Sequence, residues 1–181
     1  MVSEQTLKLL AFPDTWCEGA RMLAAQGDPE GLLPLVAAYE QPFEARRRCL
    51  LDAMEALQPV SGAHNIFDNS SGDQRRMAVH LMELFASNEH LSRLKAAVSD
   101  PDEIVRAQAR SALAGQYQTP EWEATMISLL AHHDLLTRAQ AVKSLARRGT
   151  QTADEALRAR LTVEPDPNLK SEMDRIVSTL K

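Results

Sequence analysis

Five histidines and two cysteines are the side chains of this 181-residue sequence best suited to metal or nucleophilic chemistry. His132, His133 and Asp134 stand together, a composition that suits a divalent metal. Adjacent residues in a turn rarely aim at one ion, and no second ligand pair lies nearby in sequence, as a tetrahedral site requires. The stretch therefore reads as a turn. Cys17 and Cys49 make neither a CxxC ligand pair nor a disulfide framework. The sequence carries no Walker glycine loop, no dinucleotide fingerprint and no nucleophile elbow. No catalytic residue, metal or cofactor is expected. What does recur is arginine. RAQA occurs at 106–109 and again at 138–141, within VRAQARSAL and TRAQAVKSL. A guanidinium has five donors in a fixed fork. At a repeated position it suits a structural clamp or a stripe for an anionic ligand.

The elements that carry these arginines follow from the apolar residues downstream. Arg106 is followed by Ala109, Ala112 and Leu113, and Arg138 by Ala141, Ser144 and Leu145. Small or apolar residues at +3, +6 and +7 make one stripe of an α-helix. The same register places Met173, Ile176 and Val177 after Lys170. It also places Ala78, Leu81 and Met82 after Arg75, and Leu50, Ala53 and Met54 after Arg47. Shorter amphipathic helices are expected between them, over 29–39, 89–98, 120–131 and 153–163. The turns SDPDE, HHDLL and EPDPN set Asp102, Asp134 and Asp166 four residues before a basic position. An aspartate there can cap the helix N-terminus and face its positive end. No segment sustains the period-two alternation of a strand.

Helix–turn–helix units of about thirty residues that stack in parallel form an α-solenoid, because no single unit can bury its own stripe. The stretch SDPDEIVRAQARSALAG resembles the short HEAT-like repeat of phycobilin lyase subunits. The resemblance rests on Asp100-Pro101, Val105-Arg106, Ala109 and Ala112-Leu113. It implies an all-α fold, a short superhelix of about five HEAT-like helix–turn–helix units in one domain spanning 1–181. It says little about activity, since HEAT-like folds serve as scaffolds, adaptors, lyase subunits and DNA-repair enzymes. The first helices, around 4–11 and 15–25, read as a divergent N-terminal cap over 1–27. The Gly-, Ser- and Asn-rich stretch 59–73 reads as an irregular loop in place of a repeat helix. Phe67 on that loop would anchor a partner or tuck beneath a neighbouring helix.

Two columns are candidates for function. The basic column Arg47, Arg75, Arg106, Arg138, Lys170 is read as structural, each residue pairing with a neighbouring repeat's aspartate or with carbonyl groups. Five residues beyond each comes Asp52, His80, Ser111, Lys143 and Arg175, pointing away from the core stripe. In HEAT-like stacks the second helices line the concave face, so this column is the expected partner surface. Glu123 is expected on the opposite, outer face.

The net charge is −5, and the residues up to His90 hold 7 Lys+Arg against 13 Asp+Glu, so a nucleic-acid partner is disfavoured. HEAT-like deoxyhypusine hydroxylases hold iron through His-Glu pairs, and this sequence has no such dipeptide. HEAT-like alkylpurine DNA glycosylases have a basic, aromatic-lined concave face, poorly matched by aromatics at 4 % of residues. Trp16 and Trp122 are assigned to packing. The leading reading is a non-enzymatic protein-binding module: an adaptor, scaffold or inhibitor of the immunity-protein kind. A subunit of a chromophore-lyase-type complex comes second, and nucleic-acid binding through the arginine column third. With no membrane span, no signal peptide and unpaired cysteines expected, the reducing cytosol is the expected compartment.

Overall fold

The computed structural model describes residues 2–41, 47–115 and 119–180. The chain is an all-α solenoid, and among the described residues it contains no strand. Twelve α-helices are described: α1 (Glu4–Leu10), α2 (Trp16–Gln26), α3 (Leu32–Tyr39), α4 (Arg47–Ala56), α5 (Pro59–Asn69), α6 (Gly72–Leu84), α7 (Leu91–Ala97), α8 (Glu103–Gly115), α9 (Pro120–Leu129), α10 (Leu135–Arg148), α11 (Gln151–Leu161) and α12 (Pro167–Thr179). None is long and apolar enough to cross a membrane.

Helix starts are built by short polar side chains. Thr119 accepts from the Trp122 amide at 3.2 Å, Thr150 from Ala153 at 3.1 Å, and Asp166 from Asn168 and Leu169 at 3.0 and 2.8 Å. Pro59, Pro120 and Pro167 occupy first-turn positions, where a missing N–H costs nothing. The expected stripe is the core. Ala109, Ala112, Leu113, Ala141, Ser144 and Leu145 are buried, as are the corresponding residues of α4 and α6. On α12 Met173 is buried, whereas Ile176 and Val177 are only half covered. Trp16 and Trp122 are buried packing residues, and their indole N–H groups donate to the Leu10 and Leu113 carbonyls at 2.9 and 2.7 Å.

The second helices α6, α8, α10 and α12 stack in order, with α7, α9 and α11 as the first-helix layer. The N-terminal part departs from this order. Here α2 packs on α4 and α1 on α2, while α6 receives α3; α4 and α6 make at most marginal contact. Arg76 on α6 secures the junction through a two-pronged pair with Glu40, at 2.6 and 2.7 Å.

Two expectations are corrected. The stretch 59–73 is not an irregular loop, since Pro59–Asn69 is helix α5. Its glycine has a packing role. A β-carbon at Gly62 would lie 2.2 Å from Leu32 Cδ1, so the missing side chain lets α5 close on a fully buried leucine. The chain turns sharply into α5 at Gln58, which is left-handed with φ 54°. Phe67 is half-buried on α5 against the core, so it is no exposed anchor. The second correction concerns the cysteines. Cys17 on α2 and Cys49 on α4 form a disulfide, with Cα atoms 5.4 Å apart. Stacking α2 on α4 brings together two thiols separated by 32 residues, a pairing the spacing alone did not indicate. Disulfides persist in oxidising surroundings, so the cysteines no longer support the reducing cytosol.

A candidate partner-binding face on the second helices

The basic column resolves into a repeated clamp. Arg47 donates to the Gln41 carbonyl at 3.2 Å and lies over the Tyr39 ring, 5.1 Å from its centroid. Arg75 donates to Ser70 O at 3.3 Å, and Arg106 to Asp100 O and Pro101 O at 2.6 and 3.0 Å. Arg138 donates to His132 O and His133 O at 3.0 and 2.9 Å. Each arginine thus reaches carbonyls five or six residues upstream and ties the turn to the helix it introduces. Lys170 breaks the series. It is exposed on α12, and its ammonium is a point charge without the planar fork of a guanidinium.

The carboxylate partners sit two residues earlier than expected. Asp102 caps the Ile104 amide at 2.9 Å, and Asp134 the Thr137 amide at 2.8 Å. The arginines instead reach residues 100 and 164 of the next turn. Arg75 pairs with Asp100 at 2.8 Å, and Arg138 with Glu164 at 2.9 Å. Glu164 is fully buried and also held by Arg160 at 2.7 Å. Burial alone would raise its carboxyl, but the hydrogen bonds from Arg138 and Arg160 hold it below the usual range. The 32-residue period gives Asp100, His132 and Glu164, and each accepts the amide of the residue two ahead, at 2.9, 3.1 and 3.1 Å. Where the middle turn has histidine, Arg106 pairs with Glu103 on its own helix. Glu164 was missed by the sequence reading, although this period pointed to it.

His132 is therefore a turn residue. Its Nδ1 accepts from the Asp134 amide, while Nε2 meets Ser99 Oγ at 2.7 Å. Burial, then the neighbouring His133, keeps its pKa below the ordinary value. A second neutral assembly joins α5 to the turn before α7. His64 Nε2 lies 2.8 Å from His90 Nδ1, and His90 Nε2 lies 3.0 Å from Phe85 O. The carbonyl accepts from the His90 Nε2–H, so in the neutral ring Nδ1 accepts from the His64 Nε2–H. Burial pushes both pKa values down, and His90 is fully enclosed. The unfolded chain thus binds more protons than the folded one as pH falls through about 6.5. Stability should be fully present above that pH and lost below it, by up to about 1.4 kcal/mol per pH unit for His90. Melting curves between pH 8 and pH 5 check this expectation, and a flat profile would contradict it.

The second column divides at α8. Asp52 is exposed on α4 but paired with Arg48 at 2.8 Å, and it lies outside the continuous stack. His80 is not free: its Nδ1 lies 2.7 Å from Glu40 in the clasp made by Arg76. Ser111 is exposed and donates to Glu83 at 3.0 Å, and Gln108 holds the other oxygen of the same carboxylate. Lys143 and Arg175 are exposed, with Glu172 3.7 Å from Lys143. Only the C-terminal half of the column offers open charge.

Helix spacing extends that half. Seven residues before Ser111 and Lys143 stand Ile104 and Leu136, on the same helix faces. They are 62 % and 57 % exposed, and Leu135 beside them is 38 % exposed. A groove of about 410 Å³ runs between α10 and α12, with Leu135, Leu136, Ala139 and Leu169 along it and Arg175 at its edge. A second, of about 510 Å³, is lined by Ala114, Ala146 and Ile176 with Lys143 and Arg147. Nothing in the charge pattern marked Ile104 and Leu136, because at helix starts they resemble ordinary stripe residues. Glu123 is corrected as well: it is buried, accepting from Thr150 at 2.6 Å and facing Arg148 at 3.4 Å.

Comparison with known proteins bears on the segment that includes α8 and α10. Residues 91–173 match the family model for HEAT repeats. The matched segment takes in α7 to α11 and α12 up to Met173. Among solved structures, the chain is similar to an engineered protein, with TM-score 0.46, 15 % identity, and coverage of 98 % of this chain and 97 % of that one. It is similar to a designed armadillo repeat protein, with TM-score 0.44, 16 % identity, and coverage of 98 % and 99 %. It is also similar to a chain in the complex of CpcE and CpcF of phycocyanin lyase from Nostoc sp. PCC7120, with TM-score 0.31, 16 % identity, and coverage of 94 % and 75 %. No curated protein matches the sequence.

Proposed function

We propose that the chain is a non-enzymatic protein-binding module whose partner docks on the face formed by α8, α10 and α12. The observation that carries this reading is the exposure of Leu135 and Leu136 beside an open groove, with Ile104 exposed one repeat earlier at the position equivalent to Leu136. Burying apolar surface is the main driving force of protein association, and exposed apolar clusters rimmed by polar groups mark interaction sites. The second helices of a solenoid form a continuous surface, whereas the first helices meet solvent singly. Adaptor, scaffold and inhibitor roles all operate through such a face.

Affinity capture from the native host tests the reading. Leu136→Glu removes an apolar contact and places an acid near a helix N-terminus, where it suits the dipole. The fold should change by no more than about 0.5 kcal/mol. The partner captured by the wild type should be lost by Leu136→Glu and retained by Lys95→Glu on exposed α7. Retention by the first variant and loss by the second would place the function on the outer helices.

A further inference from the structure

We propose that the His64–His90 pair is an acid-operated latch, which holds α5 to the turn before α7 and parts when both rings are protonated. The rings meet across 26 residues of sequence, with His64 Nε2 2.8 Å from His90 Nδ1 and the ring planes at 87°. His90 is fully buried, and its other nitrogen is committed to the Phe85 carbonyl at 3.0 Å. A gap of this length holds one hydrogen. In the neutral pair that hydrogen is on His64 Nε2. A first added proton is accommodated at His64 Nδ1, because the bridging hydrogen stays where it is. A second must go to His90 Nδ1, and two N–H donors then point at each other with no acceptor between them. His90 is enclosed and held by the carbonyl, so the clash is relieved only by parting the rings.

The place of the pair makes the opening local. The match to HEAT repeats begins at Leu91, directly after His90, so the latch closes the edge of that segment. Asn88 of the same turn is tied to Thr119 at 2.9 Å, while α5 rests on α6. A second tie, Arg93 of α7 with Asp68 of α5 at 2.7 Å, survives mild acid, because the hydrogen bond from Arg93 holds the Asp68 carboxyl below the usual range. Burial is the largest influence on both rings and resists their protonation. Arg93 acts in the same direction, Glu89 favours protonation of both rings and Asp68 that of His64, and a charged His64 lowers His90 further. The other charges packed around α5 are engaged elsewhere or exposed. On α6, Asp73, Arg76 and His80 lie in the Glu40 clasp, Arg75 holds Asp100 and Glu83 meets Gln108. On α4, Arg47 lies over Tyr39, Arg48 pairs with Asp52 and Glu55 is exposed, as is Glu30 in the turn before α3. Below about pH 6.5, the ordinary histidine value, the open joint therefore binds more protons than the closed one, and acid favours opening. The two rings titrate as a coupled pair, with the second step pushed lower than the first.

Hydrogen exchange of the full chain between pH 7.5 and pH 5, corrected for intrinsic rates, tests the latch. Amides of residues 85–91 should open about tenfold more often for each pH unit below 6.5, the uptake of one proton per opening. Those of α10 should keep their protection. His64→Gln keeps a donor opposite His90 Nδ1 and can turn its oxygen there once His90 is protonated, so in this variant the acceleration should vanish. A proton NMR titration of the wild-type imidazoles reads the same event without a substitution: one ring should titrate while the joint is closed, and the second together with its opening. Exchange at 85–91 that stays flat down to pH 5 would overturn the latch, as would equal acceleration in α10, which would mean global unfolding. Acceleration retained by a folded His64→Gln would remove the pair as its cause. Should that variant fail to fold at pH 7.5, the titration decides, and both rings titrating with 85–91 still protected would end the proposal.

Discussion

Arg138→Ala should destabilise the chain by about 3 kcal/mol, far more than the same change at Arg106. Removing one partner of a buried pair costs about 3–5 kcal/mol, because the other charge stays desolvated without compensation. Glu164 is that charge, with a side chain 0 % exposed, and the remaining contact from Arg160 places the expected loss at the lower end. Arg138 also satisfies the His132 and His133 carbonyls, so the turn into α10 loosens at the same time. Arg106 clamps two carbonyls as well, but its carboxylate, Glu103, is 60 % exposed and can be solvated by water. Its loss should cost about 1 kcal/mol, the size of an ordinary hydrogen-bond contribution. Urea unfolding of both variants and of Glu164→Gln measures the difference, and a double-mutant cycle isolates the pair. Equal losses at Arg138 and Arg106 would mean that carbonyl clamping, not the buried pair, holds the stack.

Reducing the Cys17–Cys49 bond should cost the N-terminal helices about 2–4 kcal/mol, the range for a cross-link closing a loop of this order. The bond ties α2 to α4 across 32 residues of sequence, where the stack is least regular. The remaining links to the regular repeats run through α3 on α6, Leu32 against Gly62 of α5, and the Glu40 clasp. Thermal unfolding with and without dithiothreitol should therefore show an early transition only when reduced. Hydrogen exchange should assign that transition to α1–α4, with α7–α12 protected as before. Cys49→Ala should behave like the reduced protein and not respond to reductant. A reduced chain melting as one unit at the oxidised temperature would show that the bond adds nothing to packing already made.

Much of the architecture was legible because it is local and repeated. The +3, +6, +7 stripe fixed which face of each second helix is buried, and the 32-residue period fixed the stacking of α8, α10 and α12. Helix caps were legible for the same reason: Asp102, Asp134 and Asp166 act within their own turns. Composition misled at α5, where glycine and asparagine suggested a loop. Gly62 is small because Leu32 approaches it from another helix, and intrinsic preference yields to packing there. The disulfide, the His64–His90 pair, the Glu40 clasp on His80 and the buried Glu164 all join residues far apart in sequence. Periodicity sets which way a side chain points from its own helix; it does not set what the neighbouring helix brings against it. That distinction separates the open cations Lys143, Arg147 and Arg175 from the satisfied His80, although Lys143, Arg175 and His80 occupy the same repeat position. Only the tertiary packing decided which carboxylates reach which arginines, leaving Arg147 and Arg175 without one among the described residues while Arg138 holds the buried Glu164.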